Sequence, residues 1–530
     1  MRLAAYLALM QLQPLSLDDA FGGSSAAALQ IAIGHLLAVA LGYTSSPFRA
    51  VGRWIIDLIP GPVVDASIAL LDGADKRTLF WTLALLWLSS AALAGSVAGP
   101  VAAATLLALV GTVGIAATMR RPELPRMRAI IAATAAAITG PAAVILLSPT
   151  TAAIAVGLAL AAAAVLDSNR RRSDLMHSAK LPLATRPLGE PPSGARFSVP
   201  GIAPLFTPTD RLYVTDVTFP TPRLHARAWH LHVTGLVARP LRLTLEELLA
   251  MESVEVDATL VCVHNPVGGV RIGTARWQGV PLSALLERVN VSREADHVLA
   301  CSADGYSGGL PLSLLEQGFE PLVVYGMNGE LLRRAHGAPL RLLVPGIYGY
   351  DANVKWLQTL ELTRFELARD YWERKGWPRD PARVKTQSRI DVPGPAAVLQ
   401  PGPQMVAGVA WSPPRGVTRV ELSIDNGPWQ TCELADELSP AAWRHWQFRW
   451  DPSLGPHSLR VRAWSPDGVQ TEGDGAPFPR GAAGYHVLAI SVSQGGARGN
   501  PFGELTTMVR GRLHLARAGV RAWRSHKTHP

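Results

Sequence analysis

Residues 259–269, TLVCVHNPVGG, set a cysteine among aliphatic neighbours and follow it at once with His264, Asn265 and Pro266. A thiol so placed is ordinarily a small core residue with only a weak donor. The run VEVDATLVCV (254–263) is rich in β-branched residues and reads as a strand with Cys262 near its C-terminal end. His264 falls on the same strand face, which alone makes no site. No second Cys or His stands at a chelating spacing, so zinc is disfavoured, and nothing supplies the oriented imidazole of a Cys–His hydrolase. Whether Cys262 fills a core or binds a metal therefore depends on what surrounds it.

Outward from that strand the texture is mixed. WHLHVTG (229–235) alternates apolar and polar residues as a strand does. In TLEELLAM, Thr244 and Glu247 stand at capping-box spacing and start a helix. PLSALLERV (281–289) and PLSLLEQ (311–317) predict short helices, while LVVYGMNGE and PLRLLVPG predict strands, with an Asn-Gly turn at 328–329. Without a repeating βαβ pattern this is α+β, not a doubly wound sheet. Gly268, Gly269 and Gly273 do not form a dinucleotide-binding loop. Beyond it, VTRVELSIDNGPW, WRHWQFRWD and HSLRVRAWSPDG are short strands spaced by turns, with Trp446, Phe448 and Trp450 on one face, as in an immunoglobulin-like β-sandwich.

The N-terminal third is different. With 48% hydrophobic residues and mean hydropathy +0.16, the 530-residue chain calls for a membrane part. Apolar runs at 25–43, 78–98, 101–118, 128–147 and 150–166 supply about five candidate spans. Arg49, Arg53, Lys76 and Arg77, then Arg120, Arg121, Arg126 and Arg128, then Arg170 to Arg172 mark basic loops, whereas the turns near 99–100 and 148–150 carry no charge. With five spans every basic loop falls on one side, which makes that side, and the soluble part, cytoplasmic. The start MRLAAY carries no twin-arginine pair, in line with that side. The apolar stretch 53–73 reads as interfacial or re-entrant.

The expected organisation is thus an α-helical transmembrane bundle (1–175), a Pro-rich linker (176–204), an α+β domain (205–383), the sandwich (384–492) and a basic tail (493–530) whose 509–523 run suggests an amphipathic helix. The net charge of +9 comes with no basic helix carrying interleaved aromatics, so nucleic acid is not an expected partner. Three scattered cysteines (262, 301 and 432) exclude a disulfide scaffold. His35 is the lone histidine in the spans and C-x-x-C-H is absent, so no haem is expected in this chain. The spans hold almost no other ionisable group, which counts against a transporter.

TLVCVHN through IGTARWQGVPLSALL (259–286) resembles the molybdenum-cofactor signature of the sulfite oxidase family, and YGMNGELLRRAHGAPLRLLVPGIYGYDANVKWLQTLELT (325–363) continues the likeness collinearly. The sandwich resembles the dimerisation domain that follows in that family, so a homodimer is implied. The likeness covers about residues 205–490. It implies a Mo-molybdopterin cofactor with Cys262 as thiolate ligand and a sulfite-oxidase-like molybdopterin domain. Thr215, Asp216 and Val217 would follow a first strand and line the pterin. Asp304, His336, Arg341, Asn353, Val354 and Lys355 match cofactor-holding positions, and Asp370 and Tyr371 match the acid–tyrosine pair of the substrate pocket.

The departures are local. The arginines that grip sulfite in that family are replaced here by Thr215 and Val267, with Arg271 and Arg276 as candidate substitutes. The expectation is a membrane-anchored oxidoreductase performing oxygen-atom transfer on a small substrate other than sulfite, such as a sulfoxide. Its electrons would pass to or from an external haem protein or the quinone pool, and membrane lipid is a further partner. A second reading is a membrane-tethered binding module on the same fold without redox activity.

Overall fold

The computed structural model describes residues 17–40, 47–59, 63–64, 75–119, 126–172, 180–217, 221–222, 224–473 and 477–494. The basic tail lies almost wholly outside them, as do 60–62 and 65–74 of the apolar loop. By packing, the N-terminal helices and residues 216–225 form one compact unit, and residues 178–215 with the chain from 226 form another. The run Thr215-Asp216-Val217 is divided between the two.

In the first unit the described helices are α1 (Leu17–Ala40), α2 (Pro47–Leu58), α3 (Asp75–Met119), α4 (Arg126–Leu146) and α5 (Pro149–Arg172). Small residues pack the interior: Ala26, Ala27, Ala91 and Ala143 are buried with Leu29 and Leu107. The bulky side chains Leu85, Val101, Ile138, Ile154 and Leu158 are each more than half exposed. This inverts the pattern of a water-soluble bundle and suits an apolar solvent, where close backbone packing replaces hydrophobic burial as the glue. Windows 20–37, 81–98, 100–117 and 149–166 are long and apolar enough to cross a membrane, and Ile131–Leu146 is shorter. The turn expected at 99–100 is not formed. Helix α3 runs unbroken through Pro100, since apolar Ala/Leu-rich flanks keep bonding on either side of the one missing N–H. The break at 147–148 is present between α4 and α5.

The second unit opens with β1 (His230–Gly235), β2 (Leu241–Thr244), β3 (Val254–Val261), β4 (Ile272–Pro281), β5 (His297–Ser302), β6 (Ser307–Pro311), β7 (Leu322–Met327), β8 (Glu330–Leu331), β9 (Arg341–Leu343) and β10 (Leu357–Thr363). One sheet runs β2-β1-β10-β5-β6; the other runs β3-β4-β7-β8, with β9 pairing β7. Only β1 and β10 pair in parallel among these strands, so the arrangement is α+β without a doubly wound sheet. Short helices α6 (Leu245–Leu249), α7 (Leu282–Val289) and α8 (Ser313–Glu316) fall where the patterning placed them. The capping box is complete: Thr244 Oγ1 accepts from Glu247 N at 3.1 Å, and Glu247 Oε2 accepts from Thr244 N at 2.8 Å. Asn328 and Gly329, both with positive φ, turn β7 into β8.

The C-terminal strands form a four-stranded and a six-stranded sheet over one core that holds Ile390, Val406, Leu422, Trp446, Val461 and Ile490. Phe448 and Trp450 pack against it on the same face as Trp446.

Residues 180–204, expected to be a linker, are instead a strap. Arg186 N donates to Ser253 O at 2.9 Å beside β3, while Phe197 N donates to His445 Nδ1 and Ala203 N to Asp391 Oδ2 in the C-terminal sheets. Prolines restrict such a segment to extended backbone, whose N–H groups need outside acceptors.

Candidate metal and cofactor site

Cys262 follows the last residue of β3, and the loop after it is tied back on itself. Its N–H donates to Arg271 O at 3.0 Å, and Arg271 N donates to Asn265 Oδ1 at 2.8 Å. The thiol is 5% exposed. Its Sγ lies 3.6 Å from His264 Nδ1 and 3.8 Å from Thr215 Oγ1. Residues 213–217 are irregular and precede β1, the first strand, where the sequence reading had them follow one.

Cations gather nearby. Burial pushes the Tyr213 hydroxyl well above its ordinary range, Cys262 adds to the rise, and Arg341 and Arg271 oppose it, so one phenol senses all three groups. Arg341 opens β9, is buried over the Trp277 ring at 5.1 Å, and donates to His336 O at 3.3 Å. The Lys355 ammonium donates to Ala335 O at 3.0 Å and sits 4.5 Å above the Trp356 ring. Trp356 itself has φ +50, a conformation costly for a bulky residue. Its indole donates to Arg334 O at 2.9 Å and its carbonyl accepts from Ala303 N, which locks the 353–356 loop to the β5–β6 turn. His336 Nε2 is 2.6 Å from Thr209 O, and burial lowers its pKa to about 4, with Arg341 and Lys355 adding to the drop.

Not every expected residue has this character. Asn353 uses its amide as a fastener: it accepts from Val344 N at 2.8 Å and donates to Ile347 O at 3.2 Å. Val354 is fully buried. Asp304 shapes the β5–β6 turn, accepting from Tyr306 N at 3.0 Å. Arg276, a candidate for holding an anion, is engaged within the sheet. It holds Asp257 through Nε at 2.8 Å and Nη2 at 2.9 Å, across the β3–β4 pair.

Asp370 and Tyr371 follow β10 and reach Cys262 through rings. His264 meets Phe478 edge-on at 4.5 Å and lies 6.3 and 6.4 Å from Trp377 and Trp372, which stack at 4.3 Å. Tyr371 stands 5.3 Å from Trp372 and 5.4 Å from Tyr306. Burial raises Asp370 to about 6; the Glu373 backbone N–H opposes the rise and the Glu373 charge adds to it. The Tyr350 hydroxyl, 4.7 Å ring-to-ring from Trp377, has no hydrogen-bond partner among the described residues. The sequence reading left this aromatic wall out of the site. The YWERKGW spacing was a local hint of Trp372 and Trp377; Phe478 comes from 100 residues further on, with no local signal.

A family model described as "Oxidoreductase molybdopterin binding domain" matches residues 218–372. Sulfite oxidase of Gallus gallus is 31% identical over 293 residues, covering 47% of this chain and 64% of that protein. Nitrate reductase [NADH] 1 of Arabidopsis thaliana is 29% identical over 307 residues, covering 46% of this chain and 33% of that protein. Among solved structures, the sulfane dehydrogenase SoxCD from Paracoccus pantotrophus aligns at 24% identity and TM-score 0.48, over 55% of this chain and 84% of that one. The chain spans less than two thirds of the length of the curated relatives it matches.

Proposed function

We infer, from a chain that carries a molybdopterin-binding oxidoreductase domain of the sulfite oxidase family, a membrane-anchored enzyme that transfers an oxygen atom to or from a small substrate other than sulfite. The cofactor of such a domain is Mo-molybdopterin. The residues present fit it. Among the described residues no three His, Cys, Asp or Glu side chains converge on one metal point, so a metal here must arrive with its own ligands and needs one soft donor, which Cys262 supplies. A pterin phosphate needs fixed cations, and Arg341, Lys355 and Arg271 are available for it: Arg341 and Arg271 act on Tyr213 beside Cys262, and Lys355 acts on His336.

When bound, the cofactor supplies two-electron redox chemistry and oxygen exchange with water. This chain's residues do the rest. Cys262 would hold the metal as a thiolate. Arg341 and Lys355 would anchor the pterin tail, with His336 and the 353–356 loop fixing their place. The rings of His264, Trp372, Trp377 and Phe478 keep bulk water from the reacting face. Asp370, with its pKa about 6, takes up or returns the proton that oxygen exchange requires, and Tyr371 orients the substrate beside it.

The observation that carries this reading is the buried Cys262 thiol inside the matched domain. Its departure from sulfite rests on the uncharged Thr215 and Val267, and on Arg276 being bound to Asp257. Electrons would pass to an external haem protein or to quinone. The two-sheet region is read as immunoglobulin-like and as the contact for a homodimer. The apolar helices are read as a multi-pass anchor, with the soluble part on the cytoplasmic side by the basic-loop asymmetry. That side follows from five separate crossings, with windows 81–98 and 100–117 as two of them. The observation that stands against it is α3 as an unbroken 45-residue helix, about 67 Å long against a bilayer core of about 30 Å.

Metal and pterin analysis of the full chain made in a cofactor-competent host tests the proposal. Molybdenum in the wild type and its loss in Cys262→Ser are expected. A wild type free of both would leave the redox-silent binding module. Turnover of sulfite ahead of a sulfoxide panel would overturn the substrate assignment, and protease cleavage from outside right-side-out vesicles the sidedness.

A further inference from the structure

The Cys262 sulfur is contacted by two side chains able to donate a hydrogen bond to it. His264 Nδ1 stands 3.6 Å away and Thr215 Oγ1 3.8 Å away, both within range for sulfur. The two approach from different parts of the chain: His264 from the loop that follows β3, Thr215 from the irregular segment before β1. The imidazole is 6% exposed. Phe478 stands edge-on to it at 4.5 Å and Trp377 and Trp372 flank it, so the ring cannot swing away from the sulfur without displacing three aromatic side chains.

A thiolate bound to a metal is an acceptor only. Facing one, His264 must carry its proton on Nδ1 and Thr215 must turn its hydroxyl hydrogen inward. Hydrogen bonds to a ligand sulfur withdraw electron density that would otherwise go to the metal, which makes the oxidised metal less stable. We propose that His264 and Thr215 are positioning residues that hold the Cys262 thiolate in a two-donor cradle and raise the reduction potential of the metal it binds. The proposal rests on the assignment of Cys262 as metal ligand and goes beyond it by giving a role to Thr215, in place of an anion-gripping side chain, and to His264.

Redox titration of the purified, cofactor-loaded full chain, following the Mo(V) paramagnetic signal, tests it. His264→Phe keeps a ring in the aromatic box and removes the donor; Thr215→Val keeps the shape and removes the hydroxyl; His264→Gln retains an N–H donor. The first two should move the midpoint to lower potential and alter the Mo(V) signal, with His264→Gln closer to wild type. Loaded His264→Phe and Thr215→Val proteins with wild-type potential and signal would overturn the cradle. If His264→Phe takes up no molybdenum, Thr215→Val decides by the same two readouts. A wild type without molybdenum overturns the ligand assignment itself and the cradle with it, whereas a loaded wild type with unmoved variants overturns the cradle alone.

Discussion

The imidazole of His486 occupies the space beside Gly268, and a Cβ at residue 268 would collide with the ring. Gly268 has φ +73 and lies six residues past Cys262, while His486 opens the last strand of the C-terminal sheets. The neighbouring contact repeats the relationship: Arg389 of those sheets donates to Gly269 O at 2.8 Å. The loop that follows the metal-ligand candidate is therefore shaped by a region more than a hundred residues away.

Gly268→Ala should destabilise the protein by about 2 kcal/mol or more, because strained backbone and a displaced ring add. A thermal-shift measurement on the full chain in detergent should fall by several degrees, with molybdenum content falling too. An unchanged midpoint would mean the loop relaxes freely.

His486 also makes the stability depend on pH. Burial lowers its pKa to about 4, with Arg389 adding to the drop, and its Nδ1 accepts from Ile390 N at 3.0 Å. The folded value lies below the ordinary 6.5, so the unfolded chain takes the proton first. The contribution is whole above about pH 6.5 and drains as pH falls to about 4, by about 3 kcal/mol at most. Asp370, raised to about 6, acts in the opposite sense, so the readout is a difference. His486→Gln minus wild type should show the variant losing less stability over that window, and parallel curves would refute it.

Asp257→Ala should cost about 3 kcal/mol. It strips the carboxylate from a bidentate pair in which Arg276 is 19% and Asp257 3% exposed, and an orphaned, largely buried cation is the expensive half of such a change. Replacing both residues with apolar ones of similar volume should recover most of the thermal midpoint; a double variant no better than the single would contradict this.

The rate of oxygen-atom transfer in the oxidative direction should rise through about pH 6 as Asp370 loses its proton. Asp370→Asn keeps an acceptor for Glu373 N, held now at 2.9 Å, but cannot take the proton. Its rate should be about a hundredfold lower and flat across that range, read from initial rates at saturating substrate. Persistence of the inflection would assign it to another group.

In the helical unit, a Cβ on Gly111 would stand 2.6 Å from Ala137 Cβ and 3.1 Å from Gln30 Nε2. Gly111→Leu should separate α1, α3 and α4 and lower the detergent thermal midpoint, whereas Leu109→Ala, at a residue 62% exposed, should barely move it. Equal effects would argue against this packing.

Local features of the sequence were legible because their causes are local. The capping box at Thr244, the Asn328-Gly329 turn and the alternation of β1 need only neighbours in the chain. The collinear motifs from Cys262 to Lys355 were legible through their resemblance to a known family, and a molybdopterin-binding family model matches residues 218–372; taken singly, none of those residues carries the reading. The strap at 180–204 was read as a linker because proline content reports backbone stiffness and says nothing of where the N–H groups find acceptors. The turn at 99–100 was expected from the gap between the apolar runs 78–98 and 101–118, yet one missing donor does not end a helix with Ala- and Leu-rich flanks.

By itself, then, the sequence determined the local elements through periodicity and, through its resemblance to a known family, the molybdopterin-binding domain, with Cys262 as the candidate ligand. Only the tertiary structure decided what surrounds that sulfur. His264 was two residues away and Thr215 forty-seven, Phe478 and His486 more than two hundred, and no pattern along the chain ties such distances together. Side-chain packing does, because a buried ring or guanidinium is fixed by whichever partners fill the remaining space. Arg276 was a candidate for the anion until Asp257 stood across the β3–β4 pair, and His264 shared a strand face with Cys262 but made no site until three aromatic rings held it there.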